Sequence, residues 1–227
     1  RWKNIEITWN DDSNIDYWLI INKACDNSYY DPKRTIVFQM EPWVHNESYL
    51  WGVKTWGEWA TPENFMEVRG RRQKCHNNAF WELELHLNEI LNLKVENRID
   101  VVSSMCSSKY FDEGHIARID FLKFLEQKGD VNLDIYSWDN QHNFKNFRGP
   151  RKQYFDKSKG YIPYKYYFMV ENNYEENFIT EKIWEPVLCE TLVFYYGCPN
   201  VCDYIDAEAF VQLDMNDFEK SYQIIKQ

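Results

Sequence analysis

The chain has 227 residues, room for one large domain or two small ones. With 26 Lys and Arg against 36 Asp and Glu, its net charge is 26 − 36 = −10; this argues against a broad nucleic-acid or anionic-lipid surface and requires any anionic ligand to be met by local cations. Hydrophobic residues at 44% and aromatics at 18%, with only 8 Gly and 7 Pro, exclude a disordered chain, and no run approaches the roughly 18 to 20 apolar residues of a membrane span.

Short apolar runs open the chain: Ile5 to Trp9, Tyr17 to Ile21 and Thr35 to Met40, each strand-sized and rich in β-branched or aromatic residues. Their continuous apolarity suits strands covered on both faces, as in parallel sheets. Phe80 to Leu91 fits either period, with Phe80, Leu83, Leu87 and Leu91 on a helical face or Trp81, Leu83, Leu85 and Leu87 on a strand face; its Leu and Glu content favours helix. Asn92 to Asn97 is the least structured joint and divides the chain into a lobe of residues 1–95 and a lobe of residues 96–227.

The second half alternates strand and helix. A strand over 98–104 precedes a helix from about His115 to Lys128, whose buried stripe is Ile116, Ile119, Leu122 and Leu125, widened by Phe121 and Phe124. A strand over 133–136, a long polar loop from Ser137 to Tyr161 and a strand over 166–170 follow. Then come a helix from Thr180, strands over 192–196 and 209–213, and a last helix from Asp217. This is the order of βαβ units, and the whole reads as two α/β lobes with a cleft between them.

The six cysteines are dispersed in a chain that needs no disulfide staple, so reduced thiols are expected, a cytoplasmic-like usage. Cys198 to Cys202 lacks C-x-x-C spacing and the five histidines form no ligand pair, so no zinc site is expected. The chain opens on Arg1 without a methionine or a signal pattern and closes inside a predicted helix, so both ends read as trimmed, and a membrane anchor beyond them stays open.

Ligands of open α/β sheets bind beyond the carboxyl ends of strands, where helix N-termini direct unpaired N–H groups. At the first such junction stand Ser103, Ser104 and Lys109, with Arg118 in the following helix; at the second stands Glu171-Asn172-Asn173, then Thr180-Glu181-Lys182 opening a helix with Thr180 as its N-cap. That helix start plus Lys182 would form a phosphate site, and Pro186 should kink the helix. Neither a P-loop nor a dinucleotide fingerprint is present. Glu41, closing an apolar strand before Pro42 and Trp43, is placed to have a raised pKa and act as a base. On pattern alone the plainer readings are favoured: a solvated loop acid for Glu41, a helix-surface cation for Arg118, and helix capping for Glu181 and Lys182.

Tyr164-Lys165 through Glu171-Asn172-Asn173, then Phe178-Ile179-Thr180-Glu181-Lys182-Ile183-Trp184, Tyr196-Gly197-Cys198-Pro199-Asn200 and Ala209-Phe210-Val211 together resemble the C-terminal region of the α-1,3-fucosyltransferases, glycosyltransferase family ten. The resemblance extends to Val101-Val102-Ser103-Ser104 with Arg118, and to Phe38 through Pro42, which looks like the family's acidic motif; it covers roughly residues 35–45 and 98–218. It implies a GT-B fold, two Rossmann-like lobes facing a cleft, the N-terminal lobe on the acceptor side and the C-terminal lobe holding GDP-fucose. It also implies inverting transfer of fucose to a hydroxyl of a glycan or glycoconjugate, with no tightly bound cofactor and no required divalent metal.

By the same resemblance Glu41 takes the general-base position, Arg118 and Lys182 contact the diphosphate, and Glu181 and Asn172 meet the ribose or nearby sugar. Lys165 and Ser104 fall at further donor-side positions, and Trp43 is an acceptor-side candidate. The chain departs from the family pattern where Pro42-Trp43 follows Glu41 directly, where Ser103-Ser104 replaces Ser-Asn, and where Phe178 replaces the Tyr of some bacterial members. Two alternatives accompany this reading: a transferase using another nucleotide sugar, and a non-catalytic glycan-binding module on the same scaffold.

Overall fold

The computed structural model describes residues 3–9, 14–41, 59–70, 82–150 and 157–227. Two units divide the chain, Arg1–Ala79 and Phe80–Gln227. Strands β1 (Trp18–Ile21), β2 (Thr35–Phe38) and β3 (Glu67–Arg69) of the first unit form a parallel sheet in the order β1-β2-β3. Its described core is Val37, Ala60, Phe65 and Val68, with Tyr30 and Trp59 packed against it. The strand expected over Ile5 to Trp9 reduces to a single bridge at Ile5. Trp9 is 98% exposed and Ile7 67%, so no sheet among the described residues buries the apolar run.

The second unit opens with α1 (Leu87–Leu91), much shorter than the helix expected over Phe80 to Leu91. Phe80 and Trp81 lie outside the described residues. Glu82 donates its backbone N–H to the carboxylate of Glu185, and Leu83 buries in the main core, so tertiary contacts override helix propensity before His86. Because Leu83 and Ile90 both belong to that core, the division between units falls before the joint at Asn92 to Asn97.

From there the elements alternate: β4 (Ile99–Met105), α2 (Glu113–Lys128), β5 (Leu133–Ser137), β6 (Phe147–Pro150), α3 (Ser158–Tyr161), β7 (Tyr164–Val170), α4 (Glu181–Leu188), β8 (Leu192–Tyr196), β9 (Phe210–Gln212) and α5 (Phe218–Lys226). The six strands form a parallel sheet ordered β6-β5-β4-β7-β8-β9. Counted from β4, this is the doubly wound order 3-2-1-4-5-6. One core joins α4 to the sheet through Ile179, Ile183, Met169 and Val193, and the other joins α2 and α5 through Ile119, Phe121, Leu122, Phe168 and Tyr222.

The predicted polar loop Ser137 to Tyr161 contains β6 and α3. β6 pairs with β5 (Ile135↔Phe147) but is a polar edge strand ending in Gly149-Pro150, a composition that edges tolerate and strand patterns miss. The helix holding Pro186 stops at Leu188, two residues after it. Among the described residues Cys25, Cys106, Cys189, Cys198 and Cys202 are reduced thiols. None of the described helices is long and apolar enough to cross a membrane.

Candidate functional site

Strand order reverses between β4 and β7, because the chain builds outward from β4 through β5 and β6 and then returns to the other side of β4. The crevice at such a switch point is open at the carboxyl ends of the strands, where N-termini of flanking helices point. A cavity of about 310 Å³ lies there, lined by residues that include Ser107, Lys109, His115, Arg118, Trp138 and Lys182. A larger groove of about 670 Å³, between the ends of β8 and β9 and α5, includes Lys220 but none of these cations, so the smaller cavity is where anionic chemistry concentrates.

Glu171 ties the site together. It follows β7, is 1% exposed, and its carboxylate accepts the Thr180 N–H at 2.9 Å and the Thr180 hydroxyl at 2.7 Å, fixing the N-cap of α4 to the end of β7. Burial pushes its pKa up, while Lys182, with Nζ 3.7 Å away, and the Thr180 bonds pull it back. Gly197 must be a glycine here, since a Cβ would stand 2.5 Å from Glu171 Cγ. On the other side Gly114 brings the start of α2 against the same segment: its N–H donates to the Asn172 carbonyl at 2.9 Å, and a Cβ would fall 1.7 Å from the Glu171 carbonyl oxygen. Two helix N-termini are thereby drawn to one backbone stretch, residues 171–172.

Arg118, one turn into α2 and 5% exposed, donates from its guanidinium to the Val170 carbonyl and, at 3.3 Å, to Asn172 Oδ1; its buried Nε–H has no hydrogen-bond partner among the described residues. Lys182 Nζ lies 3.1 Å from Thr180 Oγ1 and 3.3 Å from Glu181; burial works against its charge, but Glu181 and Glu171 hold its pKa above the ordinary value. Burial likewise opposes the charge of Glu181, and Lys182 and Lys157 outweigh it, holding that carboxyl well below the usual range. His115, 4% exposed, is pushed down to about 3 by burial and by Arg118, Lys109 and Lys182, so near neutral pH it presents an uncharged imidazole to the cavity.

Arg118, Asn172, Glu181 and Lys182 are thus brought together on one cavity. Two other expected donor residues are not. Ser104 is fully buried within β4, where its hydroxyl donates to the Phe168 carbonyl at 2.9 Å, and the cavity is reached instead by Met105, Cys106 and Ser107 beyond it. Lys165 sits at the amino end of β7, opposite the cavity, half-exposed and 3.3 Å from Asp100. Glu41 lies half-buried just past β2 in the first unit, and Trp43 falls outside the described residues.

Sequence reasoning missed His115, Glu171 and Lys157. No sequence pattern marks Glu171 as the partner of Thr180; the fold closes the interval between them with the bond from the Thr180 hydroxyl to the Glu171 carboxylate.

Behind the cavity Glu185 is 1% exposed, and burial, reinforced by Glu181 and opposed by Lys157, raises its carboxyl to about 7. A carboxyl whose folded pKa lies above its unfolded value stabilises most below the unfolded pKa and loses that contribution as pH rises through the folded one. Glu185→Gln should therefore be more stable than wild type at pH 8, by on the order of 3 kcal/mol at most, and melt higher. The gap should close as pH falls from about 7 toward the ordinary value of 4.5, which melting curves across that range measure directly.

Residues 94–227 match the model of glycosyltransferase family 10 (fucosyltransferase), C-terminal part. The chain belongs to glycosyltransferase family 10. This family 10 glycosyltransferase also superposes on a crystal structure of an α1,3-fucosyltransferase with GDP at a TM-score of 0.55, with 17% identity, over 97% of this chain and 68% of that one. A second crystal structure of an α1,3-fucosyltransferase gives 0.53, with 16% identity and the same coverage. At these identities the likeness bears on the fold, a mixed α/β architecture of parallel sheets. None of the curated proteins compared matches the sequence. The family match covers all the elements that build the cavity except the segment carrying Glu82. Among the described residues of this fucosyltransferase-family enzyme, no group of three or more His, Cys, Asp or Glu side chains is arranged to hold a metal ion.

Proposed function

We propose that the chain transfers fucose from GDP-fucose to a hydroxyl of a glycan acceptor with inversion at the anomeric carbon. In this reading the fold is GT-B, the first unit serving the acceptor side and the second holding the nucleotide sugar. The observation that carries it is the meeting of Arg118, Lys182, Asn172 and Glu181 at the switch-point cavity. A nucleoside diphosphate needs cations and helix N–H groups at its phosphates and carboxylate or amide acceptors at its ribose hydroxyls, which is the set gathered there.

Inverting transfer divides the work between two faces of the sugar. On one, a carboxylate removes the acceptor proton as its oxygen bonds to the anomeric carbon; on the other, the bond to the β-phosphate oxygen breaks and GDP leaves with the electron pair. Glu41 takes the first role. Arg118 and Lys182 take the second, neutralising charge as it grows on the diphosphate, and the low dielectric of a buried site strengthens both. Neutral His115 adds a hydrogen-bonding group without adding charge.

Thermal-shift titration with GDP, UDP and dTDP tests the donor. GDP should raise the melting temperature and the other two should not, since only a ligand that binds the folded state stabilises it. A larger shift with UDP or dTDP would assign a different nucleotide sugar, and no shift with any of them would favour a glycan-binding module.

A further inference from the structure

Glu181 and Glu185 stand one turn apart on the same face of α4. Lys157, itself buried, places its Nζ 3.0 Å from Glu181 and 3.8 Å from Glu185, and pairs with Glu82 as well. Glu82 in turn donates its backbone N–H to Glu185 Oε1 at 2.5 Å. Four charged side chains from three separate segments thus close one wall of the cavity, and three of them, Glu82, Lys157 and Glu181, line it.

An ammonium has three donors, and Lys157 has three carboxylates around it. Its charge is already matched from within the protein, which sets it apart from Arg118, whose Nε–H is unused. A cation so committed acts as a strut. Fully ionised, the cluster would carry 1 − 3 = −2, and this excess is relieved where the Glu185 carboxyl takes up a proton, leaving Lys157 to Glu82 and Glu181.

We propose that Lys157 is a positioning residue for donor binding, holding the Glu181 carboxylate at the cavity wall in the orientation that meets the nucleotide ribose, with Glu82 holding Lys157 in turn. The proposal rests on the nucleotide-sugar reading given above and extends it to a cavity-wall residue whose ammonium is committed to carboxylates of the protein. Lys157 acts only through Glu181, so its removal should matter only while Glu181 is present.

A double-mutant cycle tests this on the full chain, with GDP affinity measured by titration calorimetry for wild type, Lys157→Met, Glu181→Gln and the double variant. Each single change should weaken GDP binding roughly tenfold, the double variant should bind no more than about twofold more weakly than Glu181→Gln, and Lys157→Arg should restore most of the affinity. In turnover, Lys157→Met should raise KM for GDP-fucose and leave kcat near wild type, a split that a loss of folded protein would not produce. If Lys157→Met does not fold, Lys157→Gln, which keeps a hydrogen-bond donor without the charge, takes its place in the cycle. Wild-type affinity in the single variant, or effects that multiply to about a hundredfold in the double, would overturn the role of Lys157 while leaving the nucleotide reading in place. Failure of wild type itself to bind GDP would overturn both.

Discussion

Glu41→Gln should reduce fucose transfer by about 10²- to 10⁴-fold, the range over which a positioned general base contributes, while GDP affinity stays within about twofold of wild type. The amide keeps the size and the hydrogen-bonding edge of the carboxylate but cannot accept the acceptor's proton. Glu41 belongs to the first unit and the cations proposed for the diphosphate belong to the second, so proton removal and donor binding are carried by separate side chains. Comparing single-turnover rates with calorimetric GDP affinities separates the two. A variant that keeps its rate would remove Glu41 from the base position, and one that loses GDP binding would place it at the donor.

Lys182→Met should weaken GDP binding by about 2 to 3 kcal/mol, or roughly 30- to 160-fold, and leave guanosine binding almost unchanged. Methionine keeps the stem and removes the charge. The cost is large because Lys182 stands among buried groups, where a charge on phosphate is poorly screened. Stability changes too, with a defined sign. Glu171 already has a raised pKa, and loss of Lys182 removes the cation that opposes the rise. The variant's deficit in melting temperature relative to wild type should be largest at alkaline pH and shrink as pH falls and Glu171 takes up a proton. Equal losses for GDP and guanosine would place Lys182 away from the phosphates.

The parallel sheet of the second unit was legible because its strands are covered on both faces. β7 and β8 are continuous apolar runs over 166–170 and 192–196, and α2 showed its stripe, with Ile119, Phe121, Leu122 and Leu125 buried and Ile116 and Phe124 half-buried. What periodicity could not show is that the same buried face carries His115 and Arg118, polar groups that enter the interior because the Val170 carbonyl and the Asn172 side chain wait opposite them. Thr180 was readable as an N-cap, since a cap is a local property of chain and side chain.

Glu171 was not readable as the partner of Thr180, because that bond spans a loop whose path only the fold determines. The same limit hid the cluster around Lys157, where Glu82 comes from a segment that sequence assigns to a helix. Ser104 and Lys165 lie off the cavity for the converse reason. Both sit on strands correctly placed, but one side chain is consumed inside the sheet and the other is at its far edge.

The most direct test of the central claim is turnover of GDP-fucose by the wild-type chain against an array of glycan acceptors, with released GDP and fucosylated product both quantified. Release of GDP in step with the appearance of an α-linked fucosylated glycan, dependent on acceptor and lost in Glu41→Gln, is the predicted result. GDP bound at the cavity with no transfer to any acceptor, or transfer from another nucleotide sugar in preference to GDP-fucose, would contradict it.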